Sequence, residues 1–126
     1  MIDHVSLGVR DLAASTAFYD RVLLPLGYKR LVTREATVGF GKKYAEFWLN
    51  HRPGLMRDPA SGTHVCLRAR DKDVVHAFYA GALAAGARDE GAPGLRAHYD
   101  ASYYAAFIRD LDEHVVEVVT FVSADS

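Results

Sequence analysis

The sequence reads His4-Val5-Ser6-Leu7-Gly8-Val9-Arg10-Asp11 near its start, and sixty positions later it reads His64-Val65-Cys66-Leu67-Arg68-Ala69-Arg70-Asp71. Ala17-Phe18-Tyr19 returns at the same offset as Ala77-Phe78-Tyr79, so eight of the sixteen residues from 4 to 19 are repeated. A constant offset across separate blocks marks duplication of one supersecondary unit, and it puts the two imidazoles at equivalent places. A third group stands near the end. In Val115-Val116-Glu117-Val118-Val119 a carboxylate interrupts a β-branched apolar run, where an ionised group is costly unless paired or metal-bound. Two imidazoles and one carboxylate make the donor set that divalent iron, manganese, nickel or zinc accept with open positions left for water or substrate. Glu46, in Tyr44-Ala45-Glu46-Phe47-Trp48-Leu49, is related to Glu117 by the same duplication; it is a candidate fourth ligand or general base. The competing readings are structural: hydrogen-bonded strand histidines, Glu117 paired with Arg68, an exposed Glu46 and a small buried thiol at Cys66.

These side chains need elements to aim them. Residues 2–9 alternate, with His4, Ser6 and Gly8 on one face and Val5, Leu7 and Val9 on the other; His64, Cys66 and Arg68 alternate likewise against Val65, Leu67 and Ala69. The aliphatic side is expected to pack on a helix and the histidine side to face a cavity or solvent. Asp11 and Asp71 stand where helix N-caps belong, before helices expected at about 12–24 and 72–85 that stop near Gly27 and Gly86. Strands are expected at Tyr28–Thr33, Thr37–Phe40 and Tyr44–Leu49, then at Ala87–Glu90, Ala97–Asp110 and His114–Val122, with an irregular stretch at Gly91–Gly94. Each half therefore reads strand–helix–three strands: module one at about 1–50, a Pro/Gly linker at about 51–62 and module two at about 63–126.

With 126 residues the chain suits one domain, and half of those residues are hydrophobic. A net charge of −1, with no basic run, gives no reason to expect nucleic acid or an anionic membrane as partner. One cysteine excludes an intrachain disulfide and suits a reducing compartment. No apolar run approaches a membrane span, and no secretory signal is visible, so a cytoplasmic protein is the expectation.

Three stretches carry a resemblance: His4-Val-Ser-Leu-Gly-Val-Arg-Asp-Leu with Ala17-Phe18-Tyr19, His64-Val in the second half, and the closing Asp110-x-Asp112-x-x-x-x-Glu117. Over nearly its whole length the chain resembles the vicinal oxygen chelate superfamily of glyoxalases, extradiol dioxygenases and bleomycin resistance proteins, in a bacterial glyoxalase-like branch. The resemblance implies an α+β fold of two tandem βαβββ modules forming a curled mixed sheet around a cleft, and a homodimer. It implies a divalent metal (Ni, Zn, Mn or Fe) on His4, His64, Glu117 and Glu46. It further implies catalysis by Glu46 and Glu117 on a small substrate chelated through two oxygens, in a lyase or isomerase. The alternatives are a dioxygenase with the same ligands, or a metal-free binding or resistance protein. Glu46-x-x-x-Asn50 is similar to a glyoxalase I motif, but its usual Trp-Gly is absent and Gly8 stands where that family has arginine, which argues against glutathione. The closing turn reads Asp110-Leu111-Asp112-Glu113 where the family has Asp-Pro-Asp-Gly. Gly94-Leu95-Arg96-Ala97-His98-Tyr99-Asp100-Ala101-Ser102-Tyr103-Tyr104 resembles a branch motif lining the cleft. Trp48, Asn50, Arg96, His98, Tyr99, Tyr103 and Tyr104 are accordingly the expected substrate-binding residues.

Overall fold

The computed structural model describes residues 1–123; the last three positions of the expected second module, 124–126, lie outside the described residues. The chain runs β1 (Val5–Val9), α1 (Leu12–Val22), a 3-10 turn (Leu24–Leu26), β2 (Lys29–Thr33), β3 (Thr37–Gly41) and β4 (Ala45–His51). It continues with β5 (His64–Arg68), α2 (Lys72–Ala84), β6 (Arg88–Leu95), β7 (Tyr103–Arg109) and β8 (Val115–Phe121). Strand–helix–three strands thus occurs twice. The strands form two four-stranded sheets of the same topology, β1-β4-β3-β2 and β5-β8-β7-β6. In each, the first strand pairs parallel with the last, and the remaining pairs are antiparallel.

Local chemistry explains the repeat. The Asp11 carboxylate accepts from the Ala14 backbone N–H at 3.0 Å, and Asp71 accepts from that of Val74 at 2.9 Å, so the same cap starts both helices. Pro25 opens the turn after α1, and Gly27 takes φ +82° to leave it. Helical spacing buries Phe18, Tyr19 and Val22 on α1 and Val74, Val75, Phe78 and Ala82 on α2. Against them pack Val9, Phe40, Phe47 and Leu49 of the first sheet and Ala106, Ile108, Val116 and Val118 of the second, in one continuous core. The aliphatic face of each sheet is therefore the helix-covered one, and the histidine face is left free.

Two segments differ from the sequence expectation. Strand β6 runs through Pro93 to Leu95, and residues 97–102, expected as strand, form a turn closed by Asp100 accepting from the backbone N–H and hydroxyl of Ser102. Strand β6 is the outer strand of its sheet, where a residue without an N–H is tolerated, and register shifts at Asp89/Gly91 and Gly91/Gly94 bend it.

The β7–β8 turn joins the modules. Tyr19 on α1 donates to Asp110 Oδ2 at 2.5 Å, while Asp110 Oδ1 accepts the backbone N–H of Asp112 and of His114, each at 2.9 Å. Asp112 accepts from the Arg10 backbone at 2.9 Å, from Arg10 Nη1 at 3.2 Å and from the Ser15 hydroxyl at 3.3 Å. Glu113 occupies the left-handed region at φ +67°, so this turn keeps the conformation a glycine would adopt freely.

Candidate functional site

Parallel pairing of β5 with β8 sets Cys66 beside Glu117, and alternation places His64, Cys66 and Glu117 on the uncovered face. The carboxylate is buried there, with 2% of Glu117 exposed. His64 Nε2 lies 3.2 Å from Glu117 Oε1, the Tyr103 hydroxyl donates to Glu117 Oε2, and His64 Nδ1 lies 3.1 Å from the Gly62 carbonyl. That carbonyl and the carboxylate can both only accept, so a neutral ring donates to one of them and the imidazolium donates to both. The competing pairing with Arg68 is not made: its guanidinium lies over Phe121, 4.6 Å from the ring centroid. Partial desolvation on this face pushes the Cys66 thiol up to about 12, and the charge of Glu117 adds to the shift. Desolvation, followed by the hydrogen bond to Glu117, raises the Tyr103 phenol as well. Both groups therefore stay protonated at neutral pH.

The first module carries a counterpart. Val5 pairs with Phe47, the residue after Glu46, so His4 enters β1 near the strand that carries Glu46. His4 Nδ1 is held 2.8 Å from Asp3 Oδ1, and, unlike in His64, Nε2 meets no carboxylate among the described residues; Tyr28 donates to Glu46 Oε2 at 3.4 Å. His4 and Glu46 line a cavity of about 210 Å³ that reaches across to Cys66 of the second module. Burial first, then Glu46, raises the Tyr28 phenol.

Of the four expected ligands, His64 and Glu117 are in contact, and His4 and Glu46 line one cavity in the other module. Among the described residues no three His, Cys, Asp or Glu side chains are grouped so as to hold one ion. Convergence of residues 4, 64 and 117 at a single point is not found within one chain. The His64–Glu117 pair nevertheless has the chemistry of half a coordination shell. Neighbouring ligands of an ion bound at about 2.1 Å stand about 3 Å apart, close to the 3.2 Å between His64 Nε2 and Glu117 Oε1. A histidine that donates through one ring nitrogen to a carbonyl or carboxylate and keeps the other for the ion is also the usual arrangement at a metal.

The expected substrate-binding residues divide as well. Trp48 and Asn50 share the uncovered face of β4 with Glu46; the Trp48 ring lies over Gly39, where a Cβ would come within 3.0 Å of it, and Arg34 stands 5.7 Å from its centroid. Tyr99, Tyr103 and Phe121 pack edge to face at 5.2 Å and 5.4 Å, with His98 4.2 Å from Tyr99, forming an aromatic wall beside Glu117. Arg96 lies near the same face, over Phe107. Tyr104 does not join them. Consecutive strand residues point to opposite sides, so Tyr104 turns to the helix layer, where its hydroxyl meets His76 Nε2 at 2.7 Å. Sequence reasoning missed Phe107, whose ring is 6.3 Å from that of His64; alternation along β7 with Tyr103 could have located it.

Two βαβββ modules, each carrying a histidine and a glutamate on its uncovered side, define an α+β architecture of duplicated halves. Residues 1–118 match the profile of the Glyoxalase/Bleomycin resistance protein/Dioxygenase superfamily, and the chain belongs to that superfamily. No curated protein matches. Among solved structures it is similar to a glyoxalase/bleomycin resistance protein from Albidiferax ferrireducens T118, with TM-score 0.83, 27% identity, and coverage of 93% of this chain and 96% of the other. A glyoxalase/bleomycin resistance protein/dioxygenase family enzyme from Burkholderia phytofirmans PsJN gives 0.76 at 19% identity, covering 96% and 98%. A glutamate-to-glutamine mutant of the fosfomycin resistance protein FosX from Listeria monocytogenes, complexed with Mn(II) and 1S,2S-dihydroxypropylphosphonic acid, gives 0.73 at 15%, covering 97% and 90%. No helix among the described residues is long and apolar enough to cross a membrane.

Proposed function

We propose that the protein is a glyoxalase-like metalloenzyme of lyase or isomerase type that acts on a small substrate with two adjacent oxygens. One observation carries this reading: in both modules a histidine is held through Nδ1 with a glutamate of the neighbouring strand nearby, His64 Nε2 lying 3.2 Å from Glu117 and His4 lining one cavity with Glu46. His4, His64 and Glu117 would hold the ion, with Glu46 as fourth donor. When bound, such an ion supplies Lewis-acid polarisation of the substrate oxygens and stabilises negative charge developing on them. The side chains do the rest. Glu46, held by the long 3.4 Å bond from Tyr28, is the carboxylate able to leave its place and move a proton. Tyr103 holds the Glu117 carboxylate from Oε2, and the aromatic wall keeps water from that side. Because one chain offers its donors as two pairs, the shell is completed in a homodimer, by module one of one copy facing module two of the other.

Elemental analysis of protein purified without chelator, with melting curves in Mn, Ni, Zn and Fe, tests the metal. A stoichiometric ion and a raised Tm are expected, both lost in His4→Ala and in His64→Ala. Mixing those two variants then tests the dimer: heterodimers rebuild one intact site and regain part of the metal only if the pairs meet between chains. Bound iron would favour the dioxygenase alternative. The closed His64–Glu117–Tyr103 network favours a second reading, a metal-free binding protein, which stands if no metal is found and none shifts the melting temperature.

A further inference from the structure

Beyond the His64–Glu117 pair the open face of module two continues into a cavity of about 480 Å³, bounded by β6, β7 and the linker, whose walls include Gly62, Gly91, Arg96, Phe107 and Arg109. Its charges are unequally balanced. Arg109 is matched by Glu90 through two bonds, Nε to Oε2 at 2.5 Å and Nη2 to Oε1 at 3.1 Å. Arg96 has no carboxylate partner among the described residues: Nη1 donates to the Gly94 carbonyl and Nη2 to that of Ala92, both at 2.9 Å. A guanidinium has five N–H donors, so three remain for a ligand. The group is also seated in a prepared cradle. A Cβ at Gly91 would stand 3.0 Å from Nη2 and one at Gly94 3.2 Å from Nη1, so the two glycines make room for it at the bulges of β6. Phe107 forms the floor, 5.5 Å from the guanidinium carbon.

We infer that this cavity is an oxyanion subsite, in which Arg96 receives a carboxylate, phosphonate or phosphate group of the substrate. The inference deepens the function proposed above, since it rests on the reacting oxygens lying at His64 and Glu117. Both groups lie against one phenyl ring, the His64 imidazole 6.3 Å and the Arg96 guanidinium carbon 5.5 Å from the Phe107 centroid, so at most about 12 Å separates them, a span that one substrate can bridge. Two carbonyls hold the guanidinium in place before a ligand arrives, and a planar fork so fixed suits bidentate contact with an oxyanion. Arg96 is on this view a specificity-determining residue, and a neutral substrate analogue would lose the contact.

Inorganic phosphate and acetate are the probes, each titrated at constant ionic strength and read by amide chemical shifts of the full chain. Saturable shifts at Gly91, Gly94, Arg96 and Phe107 are expected, with affinity falling at least about tenfold in Arg96→Gln and staying unchanged in Arg34→Gln on the other module. Tighter binding of phosphate assigns a tetrahedral anion, and tighter binding of acetate a carboxylate. No saturable shift in wild type, equal affinity in Arg96→Gln, or shifts centred on module one would overturn the inference. Should Arg96→Gln fold poorly, the wild-type shift map decides alone. His64→Ala, which removes the proposed metal ligand, should still bind the anion, so failure of the metal reading and failure of this one are told apart.

Discussion

Cys66 is the side chain that touches both halves of the site, lining the His4–Glu46 cavity from one side and lying beside Glu117 on the other. Its environment has a measurable consequence. A thiol pushed up to about 12, first by desolvation and then by the Glu117 charge, carries almost no thiolate at neutral pH, and the thiolate is the nucleophile. Alkylation by iodoacetamide at pH 8 should therefore run at least about a hundredfold slower than for a free cysteine, with the rate still climbing at pH 10. Glu117→Gln should speed it by removing the nearby charge. A rate near that of free cysteine at pH 8, followed by mass spectrometry, would refute this account of the face. At this scale the sequence was legible where two observations coincided. The repeated histidines lay at one offset, and Glu117 was out of place in an apolar run. It was not legible where partners are distant in sequence. The choice of His64 rather than Arg68 for Glu117 depends on side-chain reach, since Arg68 prefers the face of Phe121.

At the scale of elements, local signals were the ones that survived. Asp11 and Asp71 cap their helices as their positions implied, because a cap is decided within four residues. Strand β6 was less readable: Pro93 argues against a strand unless the strand is known to be an outer one, which is a fact of the whole sheet. Starting β7 at Tyr103 rather than near Ala97 follows from the Asp100–Ser102 turn. Alternation from there separates two adjacent tyrosines, with Tyr103 on the site and Tyr104 against α2. The β7–β8 turn offers the clearest test. Glu113 sits at φ +67°, a conformation that costs an L-residue about 1 kcal/mol or somewhat more and glycine little. Its side chain adds only an exposed pair with Arg88, and such pairs contribute little. Glu113→Gly should therefore raise stability by about 1 kcal/mol in denaturant melts, with the slope unchanged. A loss of similar size would mean that the Arg88 pair outweighs the backbone strain.

For the whole molecule the decisive contact is the one between modules, because a duplicated fold has two sheets and needs a reason to hold them in one arrangement. Besides the apolar core that runs through both modules, that reason includes the buried Tyr19–Asp110 bond, flanked by Arg10 and Ser15 on Asp112. The other side of the repeat uses its phenol differently: Tyr79, the duplicate of Tyr19, reaches Asp89 on its own module at 3.0 Å. Duplication thus made the elements equivalent, and divergence of one phenol made the interface one-sided. Removing the hydroxyl in Tyr19→Phe leaves Asp110 Oδ2 buried without its donor and should cost about 1–3 kcal/mol. Asp110 also imposes a pH dependence whose sign follows from its environment. Burial raises its pKa above the ordinary carboxylate value, and the bonds from Tyr19 and the turn only partly offset that. A carboxyl with a raised folded-state pKa contributes most below its unfolded value of about 3.9 and loses that contribution as pH climbs through the folded-state value. Asp110→Asn keeps the acceptor for the Asp112 and His114 amides, presents its amide N–H to the Tyr19 oxygen, and carries no charge to desolvate. The stability of wild type minus that of Asp110→Asn, measured by urea melts, should accordingly fall as pH rises from about 4 and level off once the carboxyl is fully ionised. A difference that instead grows with pH would mean that the ionised carboxylate is what clamps the modules.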